Sequence, residues 1–317
     1  MPLALSVVVP AQNEAPNLPE LLRRLDAALR EAVPSFEVVI VDDGSTDDTR
    51  AVLAGLAKLY PGLRWVCLSR NFGKESAIVA GLRAAHGDRI AVIDGDLQHP
   101  PEVLSEMLRL MVETDSDQVV GVRSRAGESR SRRRLSRTYG WILARFSDVE
   151  VPPGYGDFRI VTRRVRDAVI DLSESTRFNR GLFAWVGFPT VAYKFTDSPR
   201  VGERSRWRPS QLVGYGLDGM LSFSARPLRF LMVIGTISMG LFLAYVLAVI
   251  VRALLFGIET PGYVTLIAAV FFIGGMQAFS AGMLGEYLGR IFLEVKRRPL
   301  YVAMETGGNP VQPEGPS

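Results

Sequence analysis

The chain has 317 residues, of which 48% are hydrophobic and 22% are charged, and its formal net charge is +4. Its length exceeds one average domain, and a mean hydropathy of +0.16 is unusual for a purely soluble enzyme. A single cysteine excludes an intrachain disulfide framework, and two histidines argue against a zinc site built from His and Cys ligands.

The first 122 residues alternate apolar runs with helical patterns. Strands that alternate with helices favour a mostly parallel sheet. The first strand–helix junction has no Gly-x-Gly-x-x-Gly motif, which argues against a dinucleotide-binding Rossmann domain. Strands are predicted from Leu5, from Phe36, and over 64–68, 89–93 and 118–122, with helices over 15–32, from Asp47, and over 73–85 and 101–114.

The second predicted strand ends in two acids, Asp42 and Asp43. Gly44 then makes a turn, and Ser45 or Thr46 is expected to cap the following helix. A strand that ends in acids before a helix indicates a nucleotide or metal site at this edge of the sheet.

Two further carboxylates, Asp94 and Asp96, follow the strand predicted over 89–93, and Gly95 between them permits the chain to bend. Such a pair can hold one divalent ion against a diphosphate. The triplet alone is weak evidence, because Asp-x-Asp occurs in many solvated loops.

The combination of these motifs is far more specific than any one of them. Residues 1 to about 200 resemble a family 2 glycosyltransferase, with a GT-A fold whose sheet is Rossmann-like and mostly parallel. Within that family the chain is most similar to polyprenyl-phosphate glycosyltransferases of the bactoprenol glucosyltransferase and dolichol-phosphate mannosyltransferase kind. The motifs are Val9-Pro10-Ala11-Gln12-Asn13-Glu14, Val41-Asp42-Asp43-Gly44-Ser45-Thr46-Asp47, Asn71-Phe72-Gly73-Lys74, Asp94-Gly95-Asp96-Leu97-Gln98, Gly156-Asp157-Phe158-Arg159, Arg177-Phe178-Asn179-Arg180-Gly181 and Arg200-Val201-Gly202-Glu203-Arg204-Ser205-Arg206-Trp207.

The resemblance implies roles for the acids. Asp43 would read the nucleotide base or ribose, and Asp94 and Asp96 would hold Mg²⁺ or Mn²⁺ on the diphosphate. Asp157 would act as the base or orient the acceptor, and a phosphate monoester is already largely ionised at neutral pH. The other candidates for binding the nucleotide sugar are Pro10, Asn13, Glu14, Ser45, Lys74, Gln98, Arg200, Ser205 and Arg206, although Lys74 is equally typical of a surface lysine and Gln98 of a turn-stabilising amide.

Arginines cluster between residues 122 and 139. The cluster fits contact with anionic lipid or a solvated helix face, and we do not expect nucleic acid. Arg123 and Arg125 lie at the end of the strand over 118–122, near the Asp94 site. They are predicted to hold the acceptor phosphate, because a guanidinium binds phosphate in a bidentate manner.

Two uncharged runs, Phe230 to Val251 and Tyr263 to Gly285, are each long enough to cross a bilayer core of about 30 Å. Basic residues flank them, whereas the connector has only Arg252. The positive-inside rule therefore predicts an integral membrane protein, of the bacterial inner membrane by resemblance, with the N-terminal domain and both termini in the cytoplasm. Glycines in both runs allow close helix packing and a homo-oligomer. The flanking basic residues are Arg226, Arg229, Arg290, Lys296, Arg297 and Arg298.

The predicted organisation is a GT-A domain over 1–208, a juxtamembrane segment over 209–228, two membrane spans over 229–290 and a basic tail over 291–317. The segment from Pro209 to Pro227 fits an amphipathic interfacial helix or an ordinary surface helix. Disorder is expected after Tyr301, and Cys67 is expected to be a buried, inert thiol.

The predicted reaction is inverting transfer of a single sugar from a nucleotide sugar to polyprenyl phosphate. Resemblance favours UDP-glucose over UDP-linked amino sugars and GDP-mannose, and undecaprenyl phosphate as the acceptor in a bacterium. A processive polysaccharide synthase is the alternative enzyme, since 203–207 resembles a Gln-x-x-Arg-Trp motif, although Glu203 stands at its first position. A nucleotide-binding membrane protein without catalysis is the other alternative, and the intact acids argue against it.

Overall fold

A computed structural model describes residues 3–123, 152, 154–172, 174, 177–195 and 262–308, with individual helical positions between 233 and 255. The strands in this part of the chain are β1 Leu5–Ala11, β2 Phe36–Asp42, β3 Leu63–Leu68, β4 Arg89–Val92, β5 Gln118–Arg123, β6 Tyr155–Thr162, β7 Thr190–Phe195 and β8 Ala303–Gly308. The helices are α1 Leu18–Leu29, α2 Thr49–Leu56, α3 Lys74–Ala84, α4 Val103–Glu113, α5 Arg163–Asp171, α6 Asn179–Trp185 and α7 Tyr263–Val295.

These strands form one mixed sheet in the order β7-β5-β6-β4-β1-β2-β3-β8. The central strands β4, β1, β2 and β3 are parallel, and β5 is parallel to β7. Two strands run against their neighbours: β6 is antiparallel to both β4 and β5, and β8 is antiparallel to β3. The predicted mostly parallel α/β sheet is confirmed, while β6, β7 and β8 were not among the predicted strands.

The sheet is covered on both faces, which explains the continuous apolar run in β1. All seven residues of β1 are buried. Because side chains alternate between faces, Val7 and Val9 pack with α1, α2 and α4, whereas Val8 packs with α3 and α5. The result is a three-layer arrangement with β1 at its centre.

The chain returns to this sheet after α7. β8 pairs with β3, and the Ser69 amide donates to the Val302 carbonyl over 2.9 Å. Gly307 lies so close to Trp65 that an added Cβ would be 2.1 Å from the indole ring. The prediction of disorder after Tyr301 is therefore wrong for residues 303–308, and residues 309–317 lie outside the described part. The high glycine content of this segment is typical of disorder, yet backbone hydrogen bonds to β3 hold it as a strand at the sheet edge.

Cys67 lies in β3 and its side chain is fully buried. Burial, followed by the nearby charge of Asp42, raises the pKa of this thiol to about 11. The thiolate is therefore scarce at neutral pH, which confirms the prediction of a buried, inert thiol.

The predicted membrane segments are only partly described. The second predicted span falls within α7, and the first falls on the individual helical positions between 233 and 255. Among the residues that the structure describes, no helix is both long enough and apolar enough to cross a membrane. Both spans thus remain predictions, and the juxtamembrane segment from Pro209 to Pro227 lies outside the described residues.

Two glycines on helices provide a matched test of the packing of α3 against β1. A Cβ added at Gly81 in α3 would be 2.2 Å from Val8 Cγ1, whereas none of the surrounding atoms lies within 4 Å of one added at Gly55 in α2. We expect Gly81→Ala to lower the free energy of unfolding by about 1–3 kcal/mol through overpacking. Gly55→Ala should leave it unchanged or raise it by up to about 1 kcal/mol. Urea unfolding of both variants measures the difference, and equal stabilities would contradict the described contact between α3 and β1.

Candidate functional site

The loops after three parallel strands meet at one edge of the sheet. β1, β2 and β4 run in the same direction, so their carboxyl ends lie together. The Asp43 amide donates to the Ala11 carbonyl over 2.9 Å, and the Ile93 amide donates to the Val8 carbonyl over 3.0 Å. The segments that carry Asn13, Asp43 and Asp94 therefore leave the sheet side by side.

The loops after β1 and β2 are bonded to each other. Asn13 has a positive φ of 57°, and its amide donates to Ser45 Oγ over 2.8 Å. The Thr46 amide donates to Asn13 Oδ1 over 2.9 Å. The prediction that Ser45 or Thr46 caps α2 is wrong, because Asp47 Oδ1 accepts the bond from the Thr49 amide at 3.1 Å. Ser45 instead fixes the turn after β1.

Asp43 fixes the loop that precedes α3. Its buried carboxylate accepts hydrogen bonds from the amides of Phe72, at 2.7 Å, and Gly73, at 2.9 Å. Burial raises the pKa of Asp43, although both amides oppose that rise. Gly44 has a φ of 64°, and an added Cβ would be 2.3 Å from the Arg70 carbonyl carbon. Only glycine fits this close approach between the two loops.

Three carboxylates crowd the edge at the end of β4. An added Cβ on Gly95 would be 3.5 Å from both Glu14 Cγ and the Pro10 carbonyl oxygen, so the loops after β1 and β4 are in contact. Burial raises the pKa of Glu14, and the negative charges of Asp96 and Asp94 raise it further. Repulsion of this kind favours a cation at the same place.

Asp94 and Asp96 provide hard oxygen ligands, which suit Mg²⁺ or Mn²⁺. Asp96 accepts hydrogen bonds from the Gln98 amide, at 3.1 Å, and from Gln98 Nε2, so Gln98 orients Asp96. Within the described residues, no group of three His, Cys, Asp or Glu side chains forms a ready-made metal cluster. Two carboxylates do fit the kind of site in which substrate phosphates supply other ligands.

Lys74 joins the Asp94 carboxylate to Asp157. It is the first residue of α3, and its Nζ lies 2.6 Å from Asp94 Oδ1 and 2.9 Å from Asp157 Oδ2. Arg180 binds Asp157 from the other side, with Nε 3.0 Å from Oδ1 and Nη2 3.1 Å from Oδ2. Asp157 is therefore a buried carboxylate between two cations.

These cations control the ionisation of Asp157. Burial alone would raise its pKa, but the charges of Lys74 and Arg180 hold that pKa far below the usual carboxyl range. Burial would likewise lower the pKa of Lys74, yet Asp157 and Asp94 raise it above its ordinary value. Asp157 and Lys74 are therefore both charged at neutral pH, and Asp157 is a poor proton acceptor in this state.

Asn179 and Arg177 position Arg180. The Asn179 amide donates to Glu75 Oε2 over 2.9 Å, which ties the start of α6 to the start of α3. Arg177 donates to the carbonyls of Val169 and Leu172, at the end of α5. Sequence reasoning recognised 177–181 only as a family motif and missed the ion pair between Arg180 and Asp157.

A second group of residues that the sequence analysis did not identify packs around the segment that carries Asp157. The His99 ring stacks on Phe158 at a centroid distance of 4.8 Å, and its Nδ1 lies 3.6 Å from Asp94 Oδ2. Arg159 is buried and donates to the Gly156 carbonyl over 2.6 Å. Burial lowers the pKa of Arg159 to about 10. These contacts fix the β6 segment that carries Asp157.

Several predicted site residues lie at the end of a described segment or outside the described residues. Arg123 ends β5. Arg125, Arg200, Ser205 and Arg206 lie outside the described residues, so the structure does not relate them to the site.

Comparison with known proteins identifies relatives of the whole chain. Residues 6–169 match the family model described as glycosyl transferase family 2. The chain is 38% identical to the Bacillus subtilis glycosyltransferase CsbB, over 95% of this chain and 91% of that protein. It is 34% identical to the bactoprenol glucosyl transferase of Shigella phage SfII, over 97% and 100% of the two chains. Among solved structures, mannosyl-3-phosphoglycerate synthase from Rubrobacter xylanophilus aligns with a TM-score of 0.48 at 18% identity, over 72% of this chain and 74% of that one.

Acid titration tests the ion pair between Arg180 and Asp157. Because the folded-state pKa of Asp157 is depressed, its stabilisation is complete above about pH 4 and is lost as the pH falls through the folded-state pKa. We expect Arg180→Gln to lower the free energy of unfolding by about 1–2 kcal/mol at pH 7, since Arg180 is partly exposed and Lys74 remains. The deficit should shrink below about pH 4.

Urea unfolding at pH 7 and at lower pH measures this deficit. The control is Arg23→Gln, because Arg23 is 65% exposed in its pair with Glu20 and solvent screens a surface pair of this kind. A deficit that does not change with pH, or one no larger than that of the control, would contradict the assignment.

Proposed function

Because the chain belongs to glycosyl transferase family 2, we propose that it transfers one sugar from a nucleotide sugar to polyprenyl phosphate, with inversion at the anomeric carbon. One observation carries the proposal: the Asp94 and Asp96 carboxylates adjoin a cationic cluster built from Lys74, Asp157 and Arg180. The two carboxylates can hold a cation on a diphosphate, and the cationic cluster can hold a phosphate monoester. Relatives named bactoprenol glucosyl transferases support a lipid acceptor and glucose as the sugar.

The donor would occupy the edge formed by the loops after β1, β2 and β4. Asp94 and Asp96 would hold Mg²⁺ or Mn²⁺, which would neutralise charge on the departing nucleoside diphosphate. Asp43, which already orders the loop before α3, would contact the base or ribose. Pro10, Asn13, Glu14, Ser45 and Gln98 shape the same edge, and Arg200, Ser205 and Arg206 are proposed to close over the diphosphate.

The acceptor phosphate would bind beside Lys74 and Arg180, with Arg123 and Arg125 as further cations. A phosphate monoester is mostly doubly ionised at neutral pH, so its oxygen is already a nucleophile. Asp157 would orient the two cations around it. The pKa of Asp157 lies far below the usual range, which favours this role over proton abstraction.

The reaction would be a single displacement. An oxygen of the acceptor phosphate forms a bond to the anomeric carbon as the bond from that carbon to the nucleotide's β-phosphate oxygen breaks. The electron pair leaves with the nucleoside diphosphate, and no proton transfer is required. Binding both partners at one sheet edge supplies proximity, which lowers the entropy cost of an in-line attack.

We further propose that the protein is anchored in a membrane with its catalytic domain on the cytoplasmic side. The two uncharged runs and their basic flanks support this topology. Large apolar side chains are exposed along α7, among them Leu266, Val270, Phe272 and Phe279. A membrane location would bring the active site to the acceptor's phosphate at the bilayer surface.

Transfer of label from a panel of nucleotide sugars to polyprenyl phosphate in detergent tests the proposal, with and without Mn²⁺ or Mg²⁺. We expect a metal-dependent lipid-linked monosaccharide, with UDP-glucose as the best donor. Asp96→Ala should reduce its formation by at least about 100-fold, because the leaving group loses its counter-charge. Asp171→Ala, at the exposed end of α5, is the matched control and should keep wild-type activity.

The product identifies the outcome. A polymer would favour the processive synthase, and nucleotide binding without turnover of any donor would favour a binding protein.

Asp157→Asn separates orientation from proton abstraction. The amide keeps the side-chain volume but removes the charge that holds Lys74 and Arg180. We expect the acceptor KM to rise about tenfold or more, with a fall in kcat of less than about tenfold. Loss of a general base would instead lower kcat by about 100- to 10,000-fold. Steady-state kinetics with varied acceptor, beside Asp171→Asn, distinguishes these results.

A further inference from the structure

Lys74 lies where two charged sites meet. Its ammonium is close to Asp94 on one side and Asp157 on the other, and the side chain is 42% exposed. Lys74 is also the first residue of α3, where the helix dipole disfavours a cation. The two carboxylates, rather than the helix, therefore determine where this ammonium lies.

This position has a consequence for a divalent cation at Asp94. The ammonium is 2.6 Å from Asp94 Oδ1, whereas a bound Mg²⁺ or Mn²⁺ would need a carboxylate oxygen at about 2.1 Å. His99 Nδ1 faces the other oxygen, Oδ2, at 3.6 Å. Two cations cannot share Oδ1 at these distances without strong repulsion, so Lys74 and the divalent cation compete for Asp94.

Asp157 provides the second partner that makes an exchange feasible. When Lys74 leaves Asp94, the Asp157 carboxylate at 2.9 Å still holds it within the site. Arg180 remains on the far side of Asp157. The ammonium then lacks the Asp94 carboxylate, and a phosphate monoester beside Lys74 and Arg180 would take the place of that anion.

We propose that Lys74 is a counter-ion that exchanges Asp94 for the acceptor phosphate. This inference rests on the function proposed above. Without donor, it neutralises Asp94. The divalent cation and the nucleoside diphosphate displace it, and it turns to the phosphate monoester of the acceptor while Asp157 retains it. Lys74 thereby couples the two sites, so that binding of the donor with its cation strengthens binding of the acceptor.

Binding of Mn²⁺ alone, followed by electron paramagnetic resonance of the full chain in detergent, tests the competition. We expect Lys74→Gln to bind Mn²⁺ at least about fivefold more tightly than wild type, because a positive charge next to Asp94 is gone. Lys74→Arg keeps the charge and should stay within about twofold of wild type. Lys58→Gln, at an exposed lysine after α2, is the matched control.

A second measurement has a wild-type arm, which tests the inference even if a Lys74 variant does not fold. Calorimetry should show that a short-chain prenyl phosphate binds at least about fivefold more tightly once Mn²⁺ and UDP are bound, and that Lys74→Gln lacks this gain. Equal Mn²⁺ affinity in wild type and Lys74→Gln, or no gain in wild type, overturns the inference alone. Absence of Mn²⁺ binding by wild type even with UDP overturns the proposed metal site, and the inference with it.

Discussion

The site depends on one buried charge. Asp157 is 5% exposed, and a carboxylate removed from water in this way needs compensating cations. Lys74 and Arg180 provide them from two different helices, so a single carboxylate ties β6 to α3 and α6. The same contacts that neutralise Asp157 bring two cations to the edge of the sheet. Stability and the proposed phosphate binding would therefore depend on the same ion pairs.

The neighbouring acids show the opposite arrangement. Asp96 and Asp94 repel Glu14, and Lys74 reaches into this group from the cationic side. The edge of the sheet thus divides into an anionic half and a cationic half. The proposed nucleotide sugar with its divalent cation would complement the first, and the proposed phosphate monoester would complement the second. In the proposed reaction, the sugar would move from the anionic half to the cationic half.

Sequence predicted the central sheet well because parallel strands buried on both faces leave long apolar runs, as in β1. It placed Asp43 and Asp94 at strand ends for the same reason. β6 was missed because buried charged residues, Asp157 and Arg159, interrupt its apolar pattern. The pairing with Arg180 was also beyond sequence, since it depends on tertiary contacts that no local spacing records. The motifs therefore identified the acids and Lys74, but not the ion pairs that join Lys74 and Arg180 to Asp157.

β8 is the edge strand next to β3, and its residues follow α7, the last long helix described. While α7 is being synthesised, the backbone groups along the outer edge of β3 have no strand partner, and such edges recruit other chains. Folding of the catalytic sheet is thus completed late, after its N-terminal strands have long been available. Shortening the chain within α7 would remove no residue of the site, yet it would expose this edge to aggregation.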